Sequence, residues 1–420
     1  MNINQNQIIN WLNKKWYFLY IIIITVISRG LVILFLPQSS FSYDLKTWNI
    51  VSKCFTLGQN PYISTKYVNW PPFWMQIIFI CNQLSKFLNI PLDVIIRIFF
   101  LVIEVICIYL IIKISKKYLN SGKIAHLIII IVVLNPIFII LNYQHGQFDV
   151  VVSLWVLLFL YFLMEYNESN GTISWLFACL SLGIAILTKT IPFVLLPFLF
   201  YKTYKLNKRI KLLGLLLSIG PTALGMSIIF ALSPEHIFKK VILPNAVCGY
   251  FGISGFLRAV NLDGLIPLYS KIFTMLLFIF LIWISIFLYK YLYNIDNNHL
   301  LVLVFLHLII IPILGPAYGP QYIYWYLYIL ILIYFSKKLQ WKKLFIIYYV
   351  TAIITYLIEY SLFPSHGAFL INAFNLKNLN ILSNKLYSND AQTLLRLPLL
   401  FLSLLLIFKG LNTLKYILKK

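Results

Sequence analysis

Residues Asn142–Asp149 have the sequence Asn-Tyr-Gln-His-Gly-Gln-Phe-Asp and lie between two strongly apolar segments. The next two apolar segments lead to Lys-Thr-Ile-Pro at Lys189–Pro192, a turn too short to be a loop. Polar side chains beside hydrocarbon are costly to place and usually serve chemistry, substrates or ions. We therefore expect this region and Asp44 to frame one active site on the extracytoplasmic face.

The composition indicates an integral membrane protein. Apolar residues make up 61% of the 420, while charged residues make up 11%, which is less than half the share found in soluble domains. The formal net charge of +23 could suggest nucleic acid as a partner. However, the Lys and Arg residues cluster in short loops between apolar spans, the pattern that sets membrane topology. Nucleic-acid binding is therefore not expected.

The apolar pattern predicts an all-α, multi-pass membrane protein with about twelve transmembrane helices in one domain spanning residues 1–420. The basic loops place the N- and C-termini in the cytoplasm. The predicted helices are Trp16–Leu36, Asp93–Ile112, Ile124–Leu141, Val150–Met164, Ile173–Leu187, Ile191–Tyr201, Leu212–Leu232, Leu265–Tyr289, Leu300–Leu314, Gln321–Phe335, Leu344–Leu362 and Leu394–Ile407.

The three longest loops, residues 37–91, 233–264 and 363–393, all fall on the extracytoplasmic side in this topology. Phe73–Leu88, within the first loop, is apolar enough to suggest another span. Were it to span, the next basic cluster would lie outside, so we predict an interfacial or re-entrant helix instead. The Ile-, Asn- and Lys-rich composition favours a prokaryotic plasma membrane, with the endoplasmic reticulum as the alternative.

Asp44 follows the first predicted helix, beside Tyr43. A carboxylate at the membrane interface can act as general base toward an acceptor hydroxyl; the alternative is a solvated loop residue next to Lys46. The run that contains His145, Gln147 and Asp149 offers the donors and acceptors that suit sugar hydroxyls. The alternative interpretation of this run is an ordinary helix cap with a polar loop.

Cations and a helix start suggest a phosphate site. Lys189 is an isolated cation between two short helices, suited to a phosphate or else to snorkelling, and Arg258 could serve similarly from the second long loop. Gln321 and Tyr322 open a helix whose free amides could bind an anion, with an interfacial aromatic belt as the alternative. Arg97 and Glu104 share a helix face and suggest either a structural pair or contacts with other helices.

The order of these motifs resembles the GT-C superfamily of polytopic glycosyltransferases. The elements are an acid after the first helix, Pro71-Pro72, Gly-Gln-x-Asp at 146–149, Lys-x-x-Pro at 189–192 and Pro-Gln-Tyr-x-x-Trp at 320–325. The closest similarity is to prokaryotic relatives of glycosylphosphatidylinositol mannosyltransferases and of glycosyltransferase family 87. It extends from Ser28 to about Phe335.

The resemblance implies transfer of a hexose, mannose first among candidates, from a polyprenyl-phosphate sugar to a lipid or glycan acceptor. It implies Asp44 as catalytic base and Gln321 and Tyr322 near the donor phosphate. Gly319 departs from the hydroxyl or imidazole residue that relatives often carry before Pro-Gln-Tyr. No Asp-x-Asp motif occurs, so neither an obligatory metal nor a cofactor is expected.

Two other classes of membrane protein were considered. A lipid-linked saccharide flippase or other transporter should show internal repeats and polar residues along many helices, and neither is evident. An O-antigen-type polymerase or ligase should carry an arginine-rich outer loop, whereas Arg258 is essentially the only arginine there. The glycosyltransferase reading is therefore preferred over both.

Overall fold

The computed structural model describes most of the chain, and all its regular structure is helical within those residues. The described residues are 15–35, 43–65, 68–119, 129–203, 206–232, 234, 252–290, 295–316, 319–336, 338–362 and 389–418. The third predicted outer loop, 363–393, therefore lies mostly outside the described residues.

Fifteen α-helices are described, three of them shorter than ten residues. In chain order they are α1 (Lys15–Phe35), α2 (Tyr43–Thr56), α3 (Pro61–Ser64), α4 (Pro72–Leu88), α5 (Leu92–Tyr118), α6 (Pro136–Ile139), α7 (Asp149–Ser169), α8 (Thr172–Thr188), α9 (Lys208–Leu232), α10 (Gly252–Ala259), α11 (Ile266–Lys290), α12 (Asn297–Leu314), α13 (Ile323–Phe335), α14 (Lys342–Leu362) and α15 (Asn389–Leu418). π-Helical turns flank α6, and 3₁₀ helices cover Ile191–Phe200, Asp263–Leu265 and Pro320–Tyr322.

The predicted all-α membrane fold is confirmed. In the described residues, eight helices are long and apolar enough to cross a membrane, and four shorter apolar helices accompany them. These match the twelve predicted segments in order. The 17-residue helix α4 covers the segment predicted as interfacial. It belongs neither to the eight long apolar helices nor to the four shorter ones. The placement of both termini in the cytoplasm, and the kind of membrane, remain predictions.

The first outer loop is more ordered than predicted. Asp44 does not lie in a loop but in the first turn of α2, a 14-residue helix. A search for apolar spans misses this helix because its residues are polar on average. One face packs on the protein, and the other face is polar. Thr47 and Trp48 are buried, whereas Lys46 is exposed.

The prediction of an uninterrupted helix over Ile124–Leu141 was wrong about its shape. Residues 129–145 form two π-helical turns separated by a break at Asn135 and the short helix α6. Pro136 lacks the amide proton that an uninterrupted helix needs, and the Asn135 side chain caps the new helix by accepting from the amide of Ile137. The helical turn consequently extends to His145, so the first polar residues belong to a helix end.

Helix α13 lies at the centre of the bundle. All of its residues except Tyr334 are buried, as expected for a helix that is apolar on every face. It packs on α12, α7 and α5. Helices α1, α9 and α11 lie at the periphery, where most of their apolar side chains are exposed. Those exposed faces are suited to lipid.

Candidate active site

The Asp44 carboxylate is held by side chains from the polar run. Asp44 is 6% exposed, and its Oδ2 accepts a hydrogen bond from Gln147 Nε2. His145 Nε2 lies 3.0 Å from the same oxygen. The other ring nitrogen of His145, Nδ1, is 2.5 Å from the hydroxyl of Tyr360 on α14. A tyrosine, an imidazole and a carboxylate therefore form one hydrogen-bonded chain.

Gly146 makes this arrangement possible. The π-helical turn ends at Gly146, whose φ of +77° is left-handed and favours glycine. A Cβ built there would approach Leu45 Cγ to 2.5 Å, so a larger residue would push α2 away. The Gly146 carbonyl accepts from Trp48 Nε1 at 2.9 Å. These contacts hold α2 close to the turn, so that the Gln147 side chain reaches the Asp44 carboxylate.

Lys189 and Asp149 form a buried ion pair. Lys189 is the C-cap of α8, and Asp149 lies in the first turn of α7. Lys189 Nζ is 2.8 Å from Asp149 Oδ1, which also accepts from Trp325 Nε1 at 2.5 Å. Asp149 is fully buried and Lys189 is 8% exposed. The alternative that Lys189 snorkels to the interface therefore does not hold.

Three aromatic rings surround the Lys189 ammonium. Its Nζ lies 5.2 Å from the ring centroid of Phe148, 4.9 Å from Tyr322 and 5.0 Å from Trp325. Tyr322 and Trp325 stack with centroids 4.1 Å apart. Ring faces attract a cation within about 6 Å, so this aromatic box stabilises the charged lysine in a largely water-free place.

The Asp44 cluster and the Lys189–Asp149 ion pair are neighbours. The Tyr322 ring lies on the ion-pair side, with its centroid 4.9 Å from Lys189 Nζ. The sequence run Gln147-Phe148-Asp149 links the two physically, since its side chains contact both.

A tryptophan-rich cluster packs around Phe148, the middle residue of this run. Trp74 stacks on Phe148 with centroids 4.8 Å apart and an interplanar angle of 10°. Trp48 packs on Trp70 at 4.8 Å and, edge to face, on Phe148 at 5.8 Å. Such rings are large, stiff side chains with few rotamers. They fix α2 and α4 against the start of α7.

A second buried charge cluster underlies the polar run. Glu104 of α5 pairs with Arg29 of α1, with Nη2 2.5 Å from Oε1, and both side chains are fully buried. Glu104 Oε2 also accepts from Tyr143 Oη at 2.7 Å and Asn142 Nδ2 at 3.4 Å. Arg29 donates further to the carbonyl of Val133. Glu104 therefore contacts another helix and not Arg97, whose Nε and Nη1 have no hydrogen-bond partner.

The remaining predicted residues are placed differently. The Gln321 side chain folds over Gly319, occupying the space that a Cβ at that position would need. Gly319, the departure from the superfamily pattern, therefore makes room for this glutamine. Tyr43 begins α2, and its side chain lies outside the described part. Arg258 lies in α10 with Nε 3.4 Å from Asp263 Oδ1.

Sequence reasoning missed several residues that complete the site. Tyr360 orients His145 although the two are 215 positions apart, and Trp48 fixes Gly146. The alternative of an interfacial aromatic belt does not account for Trp325, whose indole donates a hydrogen bond to Asp149. A signal existed for Tyr360, since it follows Glu359, an acid deep in an apolar helix. In the described residues, no group of three or more His, Cys, Asp or Glu side chains could hold a metal ion.

Comparison with known proteins agrees with this architecture. A family model described as dolichyl-phosphate-mannose-protein mannosyltransferase matches residues 71–229. Among solved structures, the chain is similar to ArnT from Cupriavidus metallidurans bound to undecaprenyl phosphate, with a TM-score of 0.52 and 14% identity. The alignment covers 93% of this chain and 77% of that one. At this identity the likeness shows a shared fold. A search of curated proteins finds no match.

The family match and the fold agree with the order of the sequence motifs. Residues 71–229 include the Gly-Gln-x-Asp segment and Lys189, and the structural likeness extends over nearly the whole chain. The predicted superfamily and the predicted enzyme class are both confirmed. Residues 71–229 thus match a glycosyltransferase family of the GT-C type, and the chain as a whole has the multi-pass membrane fold of ArnT.

Proposed function

We propose that the protein transfers a hexose, mannose as the first candidate, from a polyprenyl-phosphate sugar to a lipid or glycan acceptor at the extracytoplasmic face. Asp44 is the general base in this proposal, and the anomeric configuration inverts. The observation that carries the proposal is the proximity of a buried carboxylate, Asp44, and a buried cation, Lys189, which the run Gln147-Phe148-Asp149 joins through its side-chain contacts. Direct displacement needs a base on one side of the sugar and a charge that stabilises the leaving group on the other.

The Asp44 carboxylate has the geometry of a base. Gln147 and His145 both contact Oδ2, which leaves Oδ1 for an acceptor hydroxyl. In the proposed step, Oδ1 takes the hydroxyl proton as the acceptor oxygen bonds to the anomeric carbon. The bond from that carbon to the donor phosphate breaks, and its electron pair leaves with the phosphate. Every atom and charge of the step is thereby accounted for.

Lys189 is proposed to bind the donor phosphate. An ammonium has three donors, and the structure assigns one of them to Asp149. The remaining two can face a phosphate, whose departing charge they would stabilise. Dolichyl phosphate in the matching family and undecaprenyl phosphate in the ArnT structure are both polyprenyl phosphates. They support a lipid-linked phosphate as the donor of this enzyme.

The decisive experiment is a transfer assay with the purified protein. Polyprenyl-phosphate mannose and polyprenyl-phosphate glucose, each radiolabelled in the sugar, are incubated with the enzyme and membranes of the source organism. We expect label in a lipid-extractable or glycan product from one donor, and none when a nucleotide sugar replaces it. If a well-folded protein yields no product from any polyprenyl-phosphate sugar, the proposal fails and the polymerase and flippase alternatives return.

Replacing Lys189 with glutamine tests the phosphate site. We expect the KM for the donor to rise by about 10-fold or more, the usual loss when a charged hydrogen bond is removed. The matched control is Lys202→Gln, because Lys202 is also buried but bonds to the carbonyl of Asn167 away from the site. That variant should alter stability without changing the donor KM. An equal rise in KM in both variants would contradict the assignment of Lys189.

A further inference from the structure

A cavity with several polar and basic lining residues lies at the opposite end of the bundle from the candidate active site. Its volume is about 570 Å³, and it opens where the start of α12, the start of α14 and the end of α15 diverge. The active-site residues Trp325 and Tyr360 lie at the other ends of α13 and α14. Helix α14 extends 18 residues from Lys342 to Tyr360, which is about 27 Å. The lining residues are Asn298, His299, Lys338, Leu339, Gln340, Trp341, Lys409, Asn412, Thr413 and Lys415.

The cavity has an excess of positive charge. Lys409 and Lys415 of α15 have no acidic partner within the described residues. Lys338 forms an ion pair with Asp296, 3.0 Å away, and Asp296 also contacts His299. Three lysines thus line the cavity and no acidic residue is among its described lining residues, while Asp296 beside it pairs with Lys338. An anion could be held here by Lys409 and Lys415, with amide groups of Asn412 and Gln340 nearby.

The outer surface of α15 leads from the lipid to this cavity. Phe401, Leu405 and Phe408 are 60%, 52% and 61% exposed. Their spacing of four and three residues places them on one face of the helix. Lys409 follows Leu405 by four residues, and Lys415 follows Phe408 by seven. Both lysines therefore lie along the same side of α15. An apolar stripe that ends in paired cations is complementary to acyl chains that end in an anionic headgroup.

We propose that this cavity binds the headgroup of an anionic phospholipid from the inner leaflet. The distribution of basic residues assigns this end of the bundle to the cytoplasm, and cytoplasmic basic pockets between helices are suited to such headgroups. The volume is within the range of small-molecule sites. Lys409 and Lys415 bind the phosphodiester, and the acyl chains lie along Phe401, Leu405 and Phe408. This site is independent of the proposed sugar transfer.

Native mass spectrometry of the delipidated protein, titrated with phosphatidylglycerol, tests the proposal. Each cationic contact with an anionic lipid typically contributes about fivefold in affinity, so Lys409→Gln with Lys415→Gln should weaken binding about 25-fold. The control is Lys208→Gln with Arg209→Gln, which removes the same charge from exposed positions at the start of α9 on the same face. Its affinity should stay within about twofold of the original. Equal losses in both double variants would overturn the site.

Two further arms identify the source of the phosphate. Phosphatidylcholine with the same acyl chains should bind much more weakly, because its headgroup has no net charge. Inorganic phosphate should not displace phosphatidylglycerol, because it lacks the chains that contact α15. Displacement by inorganic phosphate would instead identify a site for free phosphate. Equal binding of phosphatidylcholine would show that the headgroup charge does not determine binding, which would overturn the proposal. The melting temperature and elution profile of each variant confirm that it is folded.

Discussion

Replacing Asp44 with asparagine is expected to lower the rate of sugar transfer by about 10²–10⁴-fold, the usual contribution of a general base. Asparagine has nearly the same shape, and its carbonyl oxygen can still accept the hydrogen bond from Gln147. It cannot take a proton from the acceptor hydroxyl. The fall should therefore appear in kcat, while the KM for the donor changes little. The measurement is the initial rate of radiolabel transfer.

Asp296→Asn is the matched control for this experiment. It makes the same chemical change at the other end of the bundle, and asparagine is as good an N-cap as aspartate, so α12 should keep its cap. Transfer by this variant should match the unmodified enzyme. Full activity of Asp44→Asn, in protein that elutes and melts normally, would show that another group serves as base.

Replacing Glu104 with glutamine is expected to lower the free energy of unfolding by about 3–5 kcal/mol, the cost of leaving one charge of a buried pair unmatched. Arg29 is fully buried and its guanidinium binds both Glu104 oxygens. Glutamine preserves the shape but removes the compensating charge. The measurement is the midpoint of unfolding in a graded series of denaturing detergent, compared with the unmodified protein.

Two comparisons isolate the buried charge in this prediction. Glu165→Gln removes a carboxylate from a partly exposed pair with Lys117 and should cost no more than about 1 kcal/mol. Arg29→Met combined with Glu104→Gln removes both charges and should recover most of the stability. If Glu104→Gln is no more harmful than Glu165→Gln, the buried pair does not stabilise the protein as expected.

The Glu104→Gln substitution should also disturb the geometry of the proposed active site. Asn142 and Tyr143 bind Glu104 from the middle of the π-helical turn that ends at His145 and is capped by Gly146. A shift of this turn would displace Gln147 from Asp44. Residual folded Glu104→Gln protein should consequently transfer sugar more slowly than the unmodified enzyme does.

The sequence was informative wherever polarity changed along the chain. Apolar length and basic loops predicted the number and order of the membrane helices, and isolated polar residues in apolar surroundings predicted Asp44, Gln147, Asp149 and Lys189. These signals are local, because the cost of placing a polar group in hydrocarbon acts on each residue separately. A residue that stands out in its own segment can therefore be recognised without knowing its partner.

Pairings could not be predicted in the same way. Lys189 binds Asp149 across 40 positions, and Arg29 binds Glu104 across 75. A single sequence gives no register between two apolar helices, so it could not decide whether Glu104 pairs with Arg97 on its own helix or contacts another helix. The π-helical turns were also missed, because hydrophobic periodicity does not distinguish them from α-helix over so few residues.

The shortness of α13 has a consequence for the shape of the acceptor. Its 13 residues extend about 20 Å, against a hydrocarbon layer of about 30 Å. With the far end of α13 at one boundary of that layer, Trp325 and the Lys189 pair at its other end would lie about 10 Å inside the opposite boundary. Under the proposed function, a polyprenyl donor would then enter sideways at that depth. The acceptor would have to reach it from the membrane surface, which would favour a slender terminal sugar or a lipid hydroxyl over a broad, branched glycan.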